Sequence, residues 1–98
     1  LIQTGALAGD PADTPARLAE AHARHIEEAG RLAEAGAQIE ADAAGHAAWR
    51  AFERAVAAPG VTRADLAAKV GLAQWAHSRE CEEPTAAMLA SLARDLLA

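Results

Sequence analysis

The sequence predicts an all-α protein, on three observations. Alanine, leucine, glutamate and arginine, the strong helix formers, dominate it. Strand formers are scarce, with no tyrosine and few valines, isoleucines and threonines. Apolar residues recur at helical spacing between proline and glycine breakers. The 98 residues make one domain with a single modest core. Its apolar fraction is 52%, but only Trp49, Phe52 and Trp75 are aromatic and alanine supplies much of the rest. Alanine has little side chain to bury, so the helices must approach closely, or meet another chain, to remove enough apolar surface from water.

Leu1 to Asp13 reads as an apolar lead followed by the breaker cluster Gly9-Asp10-Pro11. Thr14-Pro15 then starts a helix, with threonine at the N-cap and proline at N1, where its missing N–H does no harm. With no further proline before Pro59, the pattern predicts one long helix over 14–44, about 45 Å at 1.5 Å per residue. Leu18, His25, Leu32 and Ile39 recur every seven residues, and His22, Ala29, Gly36 and Ala43, mostly small, follow each by four. A line of large residues beside a line of small ones lets a partner helix lie close. Leu18, His25, Leu32 and Ile39 are therefore the expected oligomer interface, facing either a second copy or a neighbouring helix of the same chain. Gly30 and Gly36 are weak points, each about 1 kcal/mol worse than alanine in a helix.

Residues 46–98 read as a cluster of four shorter helices. Gly45 interrupts, and His46 to Ala58 then carries Trp49, Phe52 and Val56 on one face before Pro59-Gly60 ends it. Thr62 caps the next helix with Asp65 three residues on, Leu66, Ala67 and Val70 face inward, and Gly71 supplies a left-handed stop. A short helix follows from Gln74 to Cys81. After Glu82-Glu83-Pro84, Thr85 caps a last helix with Met88, Leu89, Leu92 and Leu96 on its apolar face.

Thr62 to Leu72, with the small Ala67 where two helices would touch and Gly71 at the turn, followed by Ser78-Arg79-Glu80 and Met88 to Ala93, resembles the Cro/repressor-type (Xre-family) helix-turn-helix domain. Taken from His46, the resemblance covers residues 46–98. It implies that the second helix of the motif enters the DNA major groove, with Gln74, Ser78 and Arg79 reading base edges. Gly9-Asp10-Pro11 followed by Leu18-Ala19-Glu20-Ala21-His22 is similar to the dimerisation helix of MerR-type regulators, a family in which that helix pairs antiparallel with its twin. A net charge of −5, from nine lysines and arginines against fourteen acidic residues, argues against a large nucleic-acid footprint.

Other chemistry is weakly signalled. His22 and His25 stand at i, i+3, and His77 and Cys81 at i, i+4, spacings that suit two metal ligands each, but no CxxC or HExxH is present and no metal site is expected. The acidic residues interleave with Arg17, Arg24 and Arg31 as on a solvated helix face, without a nucleophile or glycine loop beside them, so neither an enzyme nor a cofactor is expected. The single Cys81 fits a reducing compartment. No apolar run reaches the roughly 20 residues of a membrane span, and no basic segment followed by an apolar one opens the chain. A cytoplasmic location is expected. The expected function is a bacterial regulatory module, a dimeric helix-turn-helix transcription regulator whose partners are DNA and a second copy or partner helix. Two alternatives stand beside it: an acidic helical protein-interaction module without DNA contact, and a helical ligand-binding or metal-sensing domain built on His22, His25, His77 and Cys81.

Overall fold

Residues 13–98 are described by the computed structural model as four helices: α1 (Pro15–Glu34), α2 (Gln38–Ala57), α3 (Arg63–Ser78) and α4 (Glu82–Leu97). The expected apolar lead and the Gly9-Asp10-Pro11 break lie outside the described residues. The start of α1 follows the sequence: Thr14 accepts the Arg17 amide at 3.3 Å, and Pro15 occupies the first turn, buried. Its end does not. The helix expected to run to residue 44 stops at Glu34 because Gly36 takes φ +82°, a left-handed conformation that suits glycine. The Gly36 amide then donates to Ala33 O and the Ala37 amide to Leu32 O, the paired bonds of a Schellman closure.

That closure folds α2 back along α1. Ala41, Ala44, Ala48 and Ala51 are buried, so the alanine stripe brings two helices of one chain together. Gly45 was expected to interrupt, yet α2 runs through it, held by the packed alanines on either side. Leu18 is 3% exposed within the chain's own core, His25 and Leu32 are half-buried along α1, and Ile39 lies in the first turn of α2, 82% exposed. Breaking the helix at Gly36 takes Ile39 out of the heptad line, and the partner that covers Leu18 is intramolecular.

The turn expected at Gly71 is absent, and the separate helix expected over Gln74–Cys81 is the second half of α3. Asp65, Lys69, Leu72 and Ala76 fall at i, i+4, i+7 and i+11 and are all buried. A left-handed stop at Gly71 would swing Leu72 and Ala76 off that face. The inward set of Leu66, Ala67 and Val70 is corrected as well. Leu66 is half-buried and the other two are exposed, because Asp65, held by backbone amides, and Lys69, paired with Asp95, take the inner face. The N-terminal capping box is as expected: Thr62 Oγ accepts the Asp65 amide at 3.1 Å and Asp65 accepts the Thr62 amide at 3.2 Å.

α4 starts at Glu82, three residues before the expected cap at Thr85, with Pro84 tolerated in its first turn. It buries Met88, Ser91 and Leu92 and leaves Leu89 and Leu96 largely exposed. α3 and α4 are joined by a second Schellman closure, Glu80 amide to His77 O and Cys81 amide to Ala76 O, in which the left-handed residue is Glu80 at φ +59°. A side chain in that conformation costs about 1–2 kcal/mol. Glu80→Gly is therefore expected to stabilise the fold by about 1 kcal/mol, read as a higher urea midpoint at unchanged slope. A lower midpoint would mean that the Glu80 side chain contributes more than its backbone strain.

The two hairpins meet over Leu18, Phe52, Ala55, Leu72, Ala73, Ala76 and Met88, the core of the described residues. Among the elements, α1 packs chiefly on α2, α3 on α4, and α1 also on α3. The molecule is long, 48 × 29 × 18 Å.

Candidate functional site

α1 separates two grooves. Arg17 and Arg24, seven residues apart, share one face of α1, and Arg50 and Arg54, four apart, share one face of α2. The hairpin sets these faces along a common groove of about 430 Å3, whose lining also includes Leu18, Ala21, Ala47 and Ala51. Small side chains between the arginines let the helix backbones approach, and the long cationic side chains become the walls. Glu20 and His25 complete the lining.

Charge is thereby concentrated where the composition hides it. Four of the nine lysines and arginines of a chain with net charge −5 line this one groove. Arg54 pairs with Asp13. Among the described residues, no carboxylate lies within 4.0 Å of Arg17, Arg24 or Arg50. The solvated lattice of pairs expected along α1 is represented by Arg31 with Glu28, at 3.7 Å. Guanidinium groups present forked N–H pairs that match a carboxylate or phosphate, and a concave surface focuses their field. Such a groove can hold an anion or an acidic segment. Composition could not reveal it, since Arg50 and Arg54 meet Arg17 and Arg24 only once the chain turns at Gly36.

On the opposite side of α1, a groove of about 440 Å3 runs between α1 and α3, lined by Ala19, His22, Ala23, Ile26, Glu27, Ala68, Gly71, Leu72 and Trp75. His22 is 3% exposed and sits edge-on to Trp75, with ring centroids 4.3 Å apart. Burial, followed by Arg79 and His25, lowers the His22 pKa below its ordinary value, so the ring is neutral at pH 7.

A third polar cluster is structural. Lys69 is fully buried, and its ammonium donates to Ala58 O at 2.6 Å, Ser91 Oγ at 2.7 Å and Asp95 Oδ2 at 2.6 Å, which uses all three of its protons. Ser91 donates to Val56 O at 2.8 Å, and Arg94 donates to the same carbonyl at 3.1 Å. Side chains of α3 and α4 thus satisfy the carbonyls at the C-terminal end of α2. A lysine and a serine at 2.7 Å resemble a nucleophile and its base, but here the lysine is a saturated donor and the serine proton is committed to a carbonyl. Nothing in that arrangement activates an attack.

The proposed base-reading residues are brought together at the end of α3. Gln74, Ser78 and Arg79 are all exposed. Ser78 donates to Trp75 O at 2.7 Å, and the Arg79 guanidinium lies 5.2 Å from the Trp75 ring centre, a cation–π contact. Their surroundings include Glu80, Glu82 and Glu83 in the connection and first turn of α4. Of the suggested metal ligands, His22 and His25 lie on α1, while His77 and Cys81 border a shallow depression with Glu80 and Glu82. Among the described residues, no three histidine, cysteine or acidic side chains are grouped to hold a metal ion, and none of the described helices is long and apolar enough to cross a membrane. No family model, no curated protein and no solved structure matches this chain.

Proposed function

We propose that this chain is a helical protein-interaction module that docks an acidic segment of a partner protein in the groove between α1 and α2. One observation carries the reading: Arg17, Arg24, Arg50 and Arg54 converge on one groove of an otherwise acidic molecule, three of them without a carboxylate within 4.0 Å among the described residues. Arg17 and Arg24 are spaced by about 10 Å along the helix. That length suits two or three carboxylates on one face of a short peptide. A duplex is served less well, since its affinity grows with the number of phosphates neutralised and the rest of this surface repels them. DNA reading by Gln74, Ser78 and Arg79 is the weaker reading, because α3 is continuous through Gly71 and those residues stand beside three glutamates.

The test is a titration of the labelled protein with a short alanine-based helical peptide that carries glutamates seven residues apart on one face, followed by fluorescence anisotropy. Binding is expected at low salt and is expected to weaken as the screening length shortens to about 10 Å near 0.1 M ionic strength. The pair Arg24→Glu with Arg50→Glu should weaken it by at least about tenfold, a loss of about 1.4 kcal/mol. Unchanged binding by that variant, or tighter binding of single-stranded DNA of equal charge through the same arginines, would overturn the protein-partner reading.

A further inference from the structure

Met88, Ser91 and Leu92 turn α4 toward the core, and its outer side carries a second apolar line. Ala86, Leu89, Ala93 and Leu96 follow one another at i, i+3, i+7 and i+10, which puts them on one helix face. All are exposed, Leu89 by 53% and Leu96 by 69%. Scattered exposed leucines are ordinary, but these form a seven-residue repeat of one small and one large side chain, the pattern of a helix that packs on another helix. The later charges of α4 are turned elsewhere: Arg94 donates to Val56 O, and Asp95 accepts from Lys69. An apolar depression of about 280 Å3 between Val70 and Leu89 carries the face across onto α3.

We infer that a second copy of this chain docks on the α3–α4 face, about a two-fold axis at the level of Ser91 that sets the two α4 helices antiparallel. The order of sizes selects that occupant. Across such an axis Ala86 lies opposite Leu96 and Leu89 opposite Ala93, so every layer joins a large side chain to a small one and the helices can approach closely. A parallel pair in register would set leucine on leucine and alanine on alanine. The charges at the ends agree. α3 and α4 form a hairpin, so Arg63 and Glu82, each in a first turn, stand at opposite ends of the face. The two-fold axis brings Glu82 of each copy to the end where the other carries Arg63. A net charge of −5 sets copies of this chain against one another elsewhere, and an uncharged line avoids that repulsion. Two helices of 16 residues side by side give a face about 24 Å long and about 20 Å wide, so pairing covers roughly 1,000 Å2 in total, the lower bound of a specific interface. The dimer is accordingly weak, with a Kd on the order of 100 µM. It leaves the arginine groove of α1 and α2 free, and neither reading rests on the other.

The experiment is sedimentation equilibrium of the whole chain from about 10 µM to about 1 mM, bracketing that Kd. The apparent mass is expected to climb from 10.1 kDa toward twice that value. It should do so equally in about 0.5 M salt, where attraction through the arginines is screened. Ala93→Glu, at an exposed helical position, is expected to keep the helical circular dichroism and to remain monomeric. Leu89→Ala leaves alanine opposite alanine and should weaken the dimer at least about tenfold. Adding Ala93→Leu exchanges large and small within the same layer, and this double variant should return to within about threefold of the parent. A parent that stays monomeric to about 1 mM leaves the face to a different partner and overturns the inference. Undiminished association of Ala93→Glu, or a double variant as weak as Leu89→Ala alone, overturns it as well.

Discussion

Lys69→Met is expected to lower the unfolding free energy by about 3–5 kcal/mol, a large share of the roughly 5–15 kcal/mol that holds a domain of this kind together. The substitution keeps most of the side-chain volume and removes only the ammonium. Three acceptors lose the Lys69 donor at once: Ala58 O, Ser91 Oγ, which keeps the Arg94 guanidinium at 3.2 Å, and Asp95 Oδ2. Asp95 suffers most, because its carboxyl is 3% exposed and would lose its ion-pair partner, keeping only the Gly60 amide and the charge of Arg94. Burial alone raises the Asp95 pKa. The Lys69 hydrogen bond and charge, the Gly60 amide and Arg94 outweigh that and hold it below the ordinary value. Combining Lys69→Met with Asp95→Asn should recover much of the loss, since the orphaned charge disappears with its partner. Urea unfolding of the four proteins gives the coupling directly. A single Lys69→Met variant within about 1 kcal/mol of the parent would mean that the ammonium contributes no net stability beyond that of a methyl group.

The sequence showed the helices but not their joints. Thr14-Pro15 and Thr62 with Asp65 carry local chemistry that acts within four residues, and both starts are found where that chemistry puts them. Gly36, Gly45 and Gly71 look alike along the chain, yet only Gly36 ends a helix. The difference is tertiary. Gly45 stands among Ala41, Ala44 and Ala48, and Gly71 precedes Leu72, Ala73 and Ala76, all buried against another helix. Packing there outweighs about 1 kcal/mol of glycine propensity. Nothing in the sequence marks Lys69 and Asp65 as buried, since charge usually means exposure. Their burial depends on Ser91, Asp95, Ala58 O and Ala16 N, which lie from 11 to 49 residues away in sequence. The arginine groove was hidden for the same reason: i, i+7 on one helix and i, i+4 on the next become one site only after the turn between them is known.

Asp65→Ala is expected to cost about 3 kcal/mol, more than an ordinary N-cap, because one carboxylate serves two helix beginnings. Its Oδ2 accepts the Val61 amide at 3.0 Å and the Thr62 amide at 3.2 Å, while Oδ1 accepts the Ala16 amide of α1 at 3.2 Å, 49 residues away. Burial raises the Asp65 pKa, but the amides of Val61, Thr62 and Ala16 and the Thr62 side chain prevail and leave it below its ordinary 3.8. The stability that Asp65 and Asp95 contribute is therefore present above about pH 3.8 and is lost as pH falls through their lowered values. His22 acts in the same direction at higher pH. Its folded pKa lies below 6.5, so the unfolded chain binds the proton first and stability declines as pH drops under 6.5. The melting temperature should accordingly fall in two limbs on acidification. His22→Leu should flatten the limb that starts near 6.5 and leave the lower one in place, whereas Asp65→Ala should shrink the lower limb. If His22→Leu melts with the same slope between pH 6.5 and 4.5 as the parent, the buried imidazole is not what couples this fold to protons.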